Sequence, residues 1–186
     1  MDVKKGLSYV AFGFLFTLVN INLSFNGTTV NIMPDFVGWI LLFLAFDQLG
    51  SYMEEKSYLK WISLIMIILT AVRWVLDVFM TEINIDILIT VSAIISAVYM
   101  FMLFGVLEKI ARDYGSQRES TLHMVKILNL ALYIAFALLG LLTLVTESMG
   151  IGTLTLIVGI AALVTAIITL VTLFKLKKEI GNQVEA

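Results

Sequence analysis

The sequence predicts an all-α integral membrane protein: six transmembrane helices, both termini cytoplasmic, and a short extracytoplasmic β-hairpin between the first two helices. Three observations carry that expectation. The chain is 60% hydrophobic and only 14% charged, with a mean hydropathy of +1.01, whereas soluble domains average about 25% charged residues. Nearly all of it divides into apolar runs of roughly 16 to 24 residues, the length that crosses a hydrocarbon layer of ~30 Å. Its basic residues gather in alternate breaks between those runs. Residues 1–186 therefore read as one membrane domain.

The first run, residues 5–19, follows Lys4 and Lys5 and so resembles a signal peptide. It lacks a small-x-small cleavage site and more spans follow, so it reads as a mature helix. The second run, 35–52, opens behind Pro34 with Asp35 in its first turn, where a carboxylate suits the helix dipole. The remaining runs cover 58–80, 86–108, 124–146 and 153–175. The break "EKIARDYGSQREST" extends the fourth helix as an amphipathic end before a turn at Gly115. Three spans per half would allow an inverted repeat, but the halves share no residue-level similarity.

Charge orients these runs. Lys4, Lys5, Lys56, Lys60, Lys109, Arg112, Arg118, Lys126, Lys175, Lys177 and Lys178 all fall on one side, and Arg73 alone of the Lys and Arg residues does not. The opposite breaks, "NGTTVNIMP", "TEINID" and "ESMGIG", hold none. The positive-inside rule makes the basic side cytoplasmic. Asp35, Glu82, Asp86 and Glu147 lie on the outer side. They follow either from the easier translocation of acidic residues or from a role in attracting cations.

Residues 20–33 do not look helical. A two-residue turn at Asn26-Gly27, a dipeptide that tolerates positive φ, would pair Phe25 with Thr28, Ser24 with Thr29, Leu23 with Val30 and Asn22 with Asn31. Polar pairs then share one face and apolar pairs the other, the period-two pattern of a ribbon. The competing reading continues the first helix to Phe25. An open strand edge is not tolerated in lipid, so a hairpin would lie at the outer surface as a lid or rim.

The third run holds the most informative stripe. Ser63, Met66, Thr70, Arg73 and Asp77 recur at steps of three and four, one face of a helix. An arginine at that depth costs on the order of 2.5 to 3.5 kcal/mol even on the lenient insertion scale, so it faces the bundle or a cavity. Asp77, one turn on, can pair with Arg73. The pair serves either helix packing or a ligand. Asn20 and Arg73 both fall roughly 20 Å from the cytoplasmic ends at 1.5 Å per residue, with Asp77 and the Asn22/Asn31 face further out. Asn20, Asn22, Asn31, Arg73 and Asp77 are thus the candidate ligand-binding set, with Arg73 as a donor fork for carboxylate or phosphate. Asn129, Tyr133, Phe136, Gly140, Thr143 and Glu147 form a second stripe, Ala162, Thr165, Thr169 and Thr172 a third, and Ser92, Ser96 and Tyr99 a fourth. Their spacing is that of ordinary helix–helix packing. Asp47 stands apart in the cytoplasmic half of the second run, where a capping or interfacial role competes with proton coupling.

Several chemistries are disfavoured. There is no cysteine and a single histidine, His123, so thiolate chemistry, a multi-His metal site and a His-based triad lack their residues. No Gly-rich phosphate loop follows a strand and no basic stripe suggests nucleic acid. No enzyme activity, metal or cofactor is expected.

At "INLSFNGTTVNIMPDFVGWILL" the chain resembles a group of small, uncharacterised bacterial multi-pass membrane proteins that carry an Asn-Ile-Leu-Pro-Asp-Phe-Ile-Gly type signature after their first helix. Asn31, Ile32, Pro34, Asp35, Phe36 and Gly38 carry the match, and the resemblance implies no particular activity. By size and span count the chain is also similar to the membrane S components of energy-coupling-factor transporters, which bind solute in an outward-facing pocket. The segment around Ala11 and Leu15 departs from the paired small residues those proteins use for docking. Two functions compete. One is an outward-facing pocket that binds and helps translocate a small anionic or zwitterionic solute or lipid headgroup. The other is a membrane accessory protein, such as an immunity, regulatory or assembly factor. Expected partners are membrane lipids, a small-molecule ligand, and either further copies of the chain or a membrane partner subunit.

Overall fold

Asp2 starts the first helix: its Oδ1 accepts from the Lys5 N–H at 2.9 Å, while its carbonyl accepts from Gly6, which satisfies donors that a helix start leaves open. The computed structural model describes residues 2–18, 22–25, 28–31, 34–54, 57–79, 86–145 and 149–184. These form helices α1 (Val3–Leu18), α2 (Asp35–Leu49), α3 (Ser51–Glu54), α4 (Tyr58–Phe79), α5 (Asp86–Asp113), α6 (Glu119–Val145) and α7 (Met149–Val184). Strands β1 (Asn22–Phe25) and β2 (Thr28–Asn31) pair antiparallel between α1 and α2. Asn22 lies opposite Asn31, Leu23 opposite Val30, Ser24 opposite Thr29 and Phe25 opposite Thr28. The turn expected at Asn26-Gly27 lies outside the described residues.

The expected six spans are corrected to four. Among the described residues, Tyr58–Leu76, Thr90–Asp113, Glu119–Leu139 and Gly152–Asn182 are the segments long and apolar enough to cross a membrane. Helices α1 and α2 have 16 and 15 residues. At 1.5 Å per residue they reach roughly 24 and 22 Å, short of a ~30 Å hydrocarbon layer. Composition alone counted both as spans; their lengths leave them out of the set long enough to cross. Helix α1 ends at Leu18, and β1 follows from Asn22. Gly50 ends α2 with φ 50° and donates to the Phe46 carbonyl at 3.2 Å.

The helices close a ring. α1 packs on α2 and α7, α2 on α4, α4 on α5, α5 on α6, and α6 on α7. Helix α1 buries Leu7, Val10, Ala11 and Phe14, one face at helical spacing. Against it α2 sets Trp39, Leu42, Ala45, Phe46 and Leu49. The chains cross closely: a Cβ on Gly38 would stand 2.7 Å from the Gly13 carbonyl oxygen. From the far side come Leu103, Leu107 and Ile110 of α5, Leu122 and Val125 of α6, and Leu173, Leu176 and Ile180 of α7.

Most of this core sits at the basic end of the ring. Toward the other end α6 and α7 stand open: residues 152–157 are exposed without interruption. Large apolar side chains such as Trp61, Leu156 and Leu163 are also exposed. An apolar exterior of this kind suits lipid rather than water. The core is thus a plug at one end, and it leaves room for a cavity above it.

Candidate functional site

The face of α4 that looks into the ring is polar, and it folds because most of its hydroxyls are satisfied locally. Ser63 donates to the Lys60 carbonyl at 2.8 Å and Thr70 to the Met66 carbonyl at 2.6 Å. A hydroxyl bonded back to its own helix can be buried without a partner elsewhere. One turn past Thr70 comes Arg73, half-buried and turned to the same side.

Arg73 lines a cavity of about 160 Å³. Thr70 and Met66 of α4 form the wall below it, and α2 contributes Asp35 and Trp39. Ser92, Ser96 and Met100 enter from α5, Tyr133 from α6 and Thr17 from α1. Five helices therefore meet around one polar space. Trp39 is held in place by Tyr99, edge to face at 4.9 Å between ring centroids. Asp35 occupies the first turn of α2, behind Pro34 in extended geometry, at the end of the helix where the dipole suits an acidic side chain. The cavity thus combines a planar donor fork, a carboxylate and several hydroxyls.

The structure places the expected site residues unevenly. Arg73 faces the cavity. Asn20 lies outside the described residues, as do the side chains of Asn22, Asn31 and Asp77. The backbones of Asn22 and Asn31 are paired across the two strands, and that of Asp77 continues α4. Asp35, Thr70, Ser92, Ser96 and Tyr133 join Arg73 instead. Their signal was present as a dipole-facing carboxylate and as small-residue stripes, but stripes that line a cavity and stripes that pack helices have the same period.

The other polar groups lie at the basic end and form ion pairs. Asp47 meets Lys60 at 2.7 Å, an interfacial pair between α2 and α4. Arg118 donates to Glu179 at 3.0 Å, and Ser116 donates to the same carboxylate, tying the α5–α6 turn to α7. Lys126 meets Glu108 at 2.8 Å, with His123 Nδ1 at 3.4 Å from the second oxygen. Among the described residues no group of three or more His, Cys, Asp or Glu side chains could hold a metal ion. No family model, curated protein or solved structure matches the chain.

Proposed function

We propose that this chain is a multi-pass protein of the cytoplasmic membrane whose Arg73 cavity binds, and helps translocate, a small anionic or zwitterionic solute or lipid headgroup. One observation carries the reading: an arginine and a carboxylate share a cavity of about 160 Å³ with the hydroxyls of Thr70, Ser92, Ser96 and Tyr133. An arginine within a membrane helix is costly and is kept where it meets a partner or a substrate path. The volume matches roughly five water molecules at about 30 Å³ each, enough for a small anionic group such as one phosphate or carboxylate. Asn20, Asn22, Asn31 and Asp77 belong to the same reading as further ligand groups proposed from the sequence alone. The chain acts as a binding protein, not an enzyme, and its basic ends face the cytoplasm with both termini.

The test is mass spectrometry of the small molecules and lipids that co-purify with the wild type and with Arg73→Ala. The reading expects an anionic or zwitterionic species that is enriched with the wild type and lost with the variant. Identical profiles from both would overturn it and leave an accessory role for the protein.

A further inference from the structure

Beside the Arg73 cavity lies a second, larger space of about 380 Å³ between α5 and α6. Its walls are apolar, with Ala97 and Val98 on one side and Ile134 and Phe136 on the other. Ala93 and Tyr133 line both spaces. The polar cavity and the apolar groove are therefore neighbours with a shared wall. Ile94 and Ile134, at 56% and 52% exposure, stand where the groove meets the outside of the ring, so it opens sideways toward the bilayer.

We infer that the two spaces form one site for a single-chain zwitterionic lipid of the lysophospholipid class. The inference rests on the reading of the Arg73 cavity as a ligand site. The phosphate meets the Arg73 guanidinium, whose planar fork fits phosphate oxygens, and the ammonium lies toward the Asp35 carboxylate. The acyl chain lies in the α5–α6 groove, which holds about a dozen methylene-sized groups if each takes the ~30 Å³ of a water molecule. That is room for one chain and not for two. Transfer of a chain from bilayer to groove has little hydrophobic gain, because lipid tails are as apolar as the groove. Affinity therefore comes from the headgroup, and the groove supplies a lateral path that leads it to Arg73.

Two probes on the full chain in nanodiscs test this. One is a lysophosphatidylethanolamine with a photoreactive diazirine midway along its acyl chain; the other is chainless glycerophosphoethanolamine. The expected result is cross-linked peptides from α5 around Ala93–Val98 and from α6 around Tyr133–Ala137. Labelling should fall about tenfold or more in Arg73→Gln, the scale of a lost charged hydrogen bond, and should also fall in Ala97→Phe, which fills the groove. Ala137→Leu gives the same block if Ala97→Phe does not fold. Undiminished labelling in Arg73→Gln would mean ordinary surrounding lipid and would overturn the inference. Saturable binding of the chainless compound without groove labelling would sink the single-chain lipid while leaving the polar pocket standing. Absence of binding by both probes would sink both.

Discussion

Lys126 and Glu108 have side chains only 14% and 12% exposed and meet at 2.8 Å, with the ammonium also 5.3 Å from the Phe101 ring. A pair this enclosed is sensitive to losing one member, because the remaining charge stays out of water. Lys126→Met should lower unfolding stability by on the order of 3 kcal/mol, read by denaturant titration in mixed micelles, and adding Glu108→Leu should restore most of the loss. An unchanged midpoint in the single variant would show that the pair is hydrated. Tyr99 is the opposite case. Its ring is fully buried against Trp39, while its hydroxyl has no hydrogen-bond partner among the described residues. Tyr99→Phe keeps the ring packing and removes only that group, so it should leave the melting temperature unchanged or raised. A fall of several degrees would reveal a partner for the hydroxyl.

At the scale of elements, two glycines matter for different reasons. Gly38 lies at the α1–α2 crossing, where an added Cβ would sit 2.7 Å from both the Gly13 carbonyl oxygen and the Thr17 methyl. Backbone cannot rotate aside, so the helices must separate. Gly115 has φ +58° and open space around its Cβ position. Its N–H donates to Arg112 and that of Ser116 to Ala111, the paired bonds of a left-handed helix stop. Substitution there meets only conformational strain. Gly38→Ala should therefore cost about 3 kcal/mol and Gly115→Ala about 1 kcal/mol, compared by thermal unfolding in the same detergent. The reverse order would show that α1 and α2 are not in backbone contact.

Over the whole molecule, packing is graded. The ring is filled at its basic end and open toward the opposite end of α6 and α7. Exposed and half-exposed ion pairs rim the filled end: Lys60 with Asp47, Arg118 with Glu179 and Arg112 with Glu119. The proposed orientation, which puts the basic end in the cytoplasm, predicts that a cysteine at Met149 reacts with an impermeant thiol reagent from outside intact cells, and one at Gln117 only after permeabilisation. The opposite labelling would overturn the orientation. A cavity above a plug, open to one side, suits a site that captures its ligand from that side.

Membrane character and the inward face of the Arg73 helix were legible in the residues alone. Hydropathy and a repeat of three and four are properties of a single segment, and each segment carries them without its neighbours. The number of spans was not, because runs of roughly 15 to 18 residues lie at the lower edge of spanning length and hydropathy alone does not say on which side they fall. Helices α1 and α2, which end at Leu18 and Leu49, fall below that length. The composition of the site was not legible either. Asp35, Ser92, Ser96 and Tyr133 come from three different helices, and in sequence each looks like a cap or a packing residue. Only the closing of the ring brings them to Arg73, since a cavity depends on distances between segments that no local period encodes.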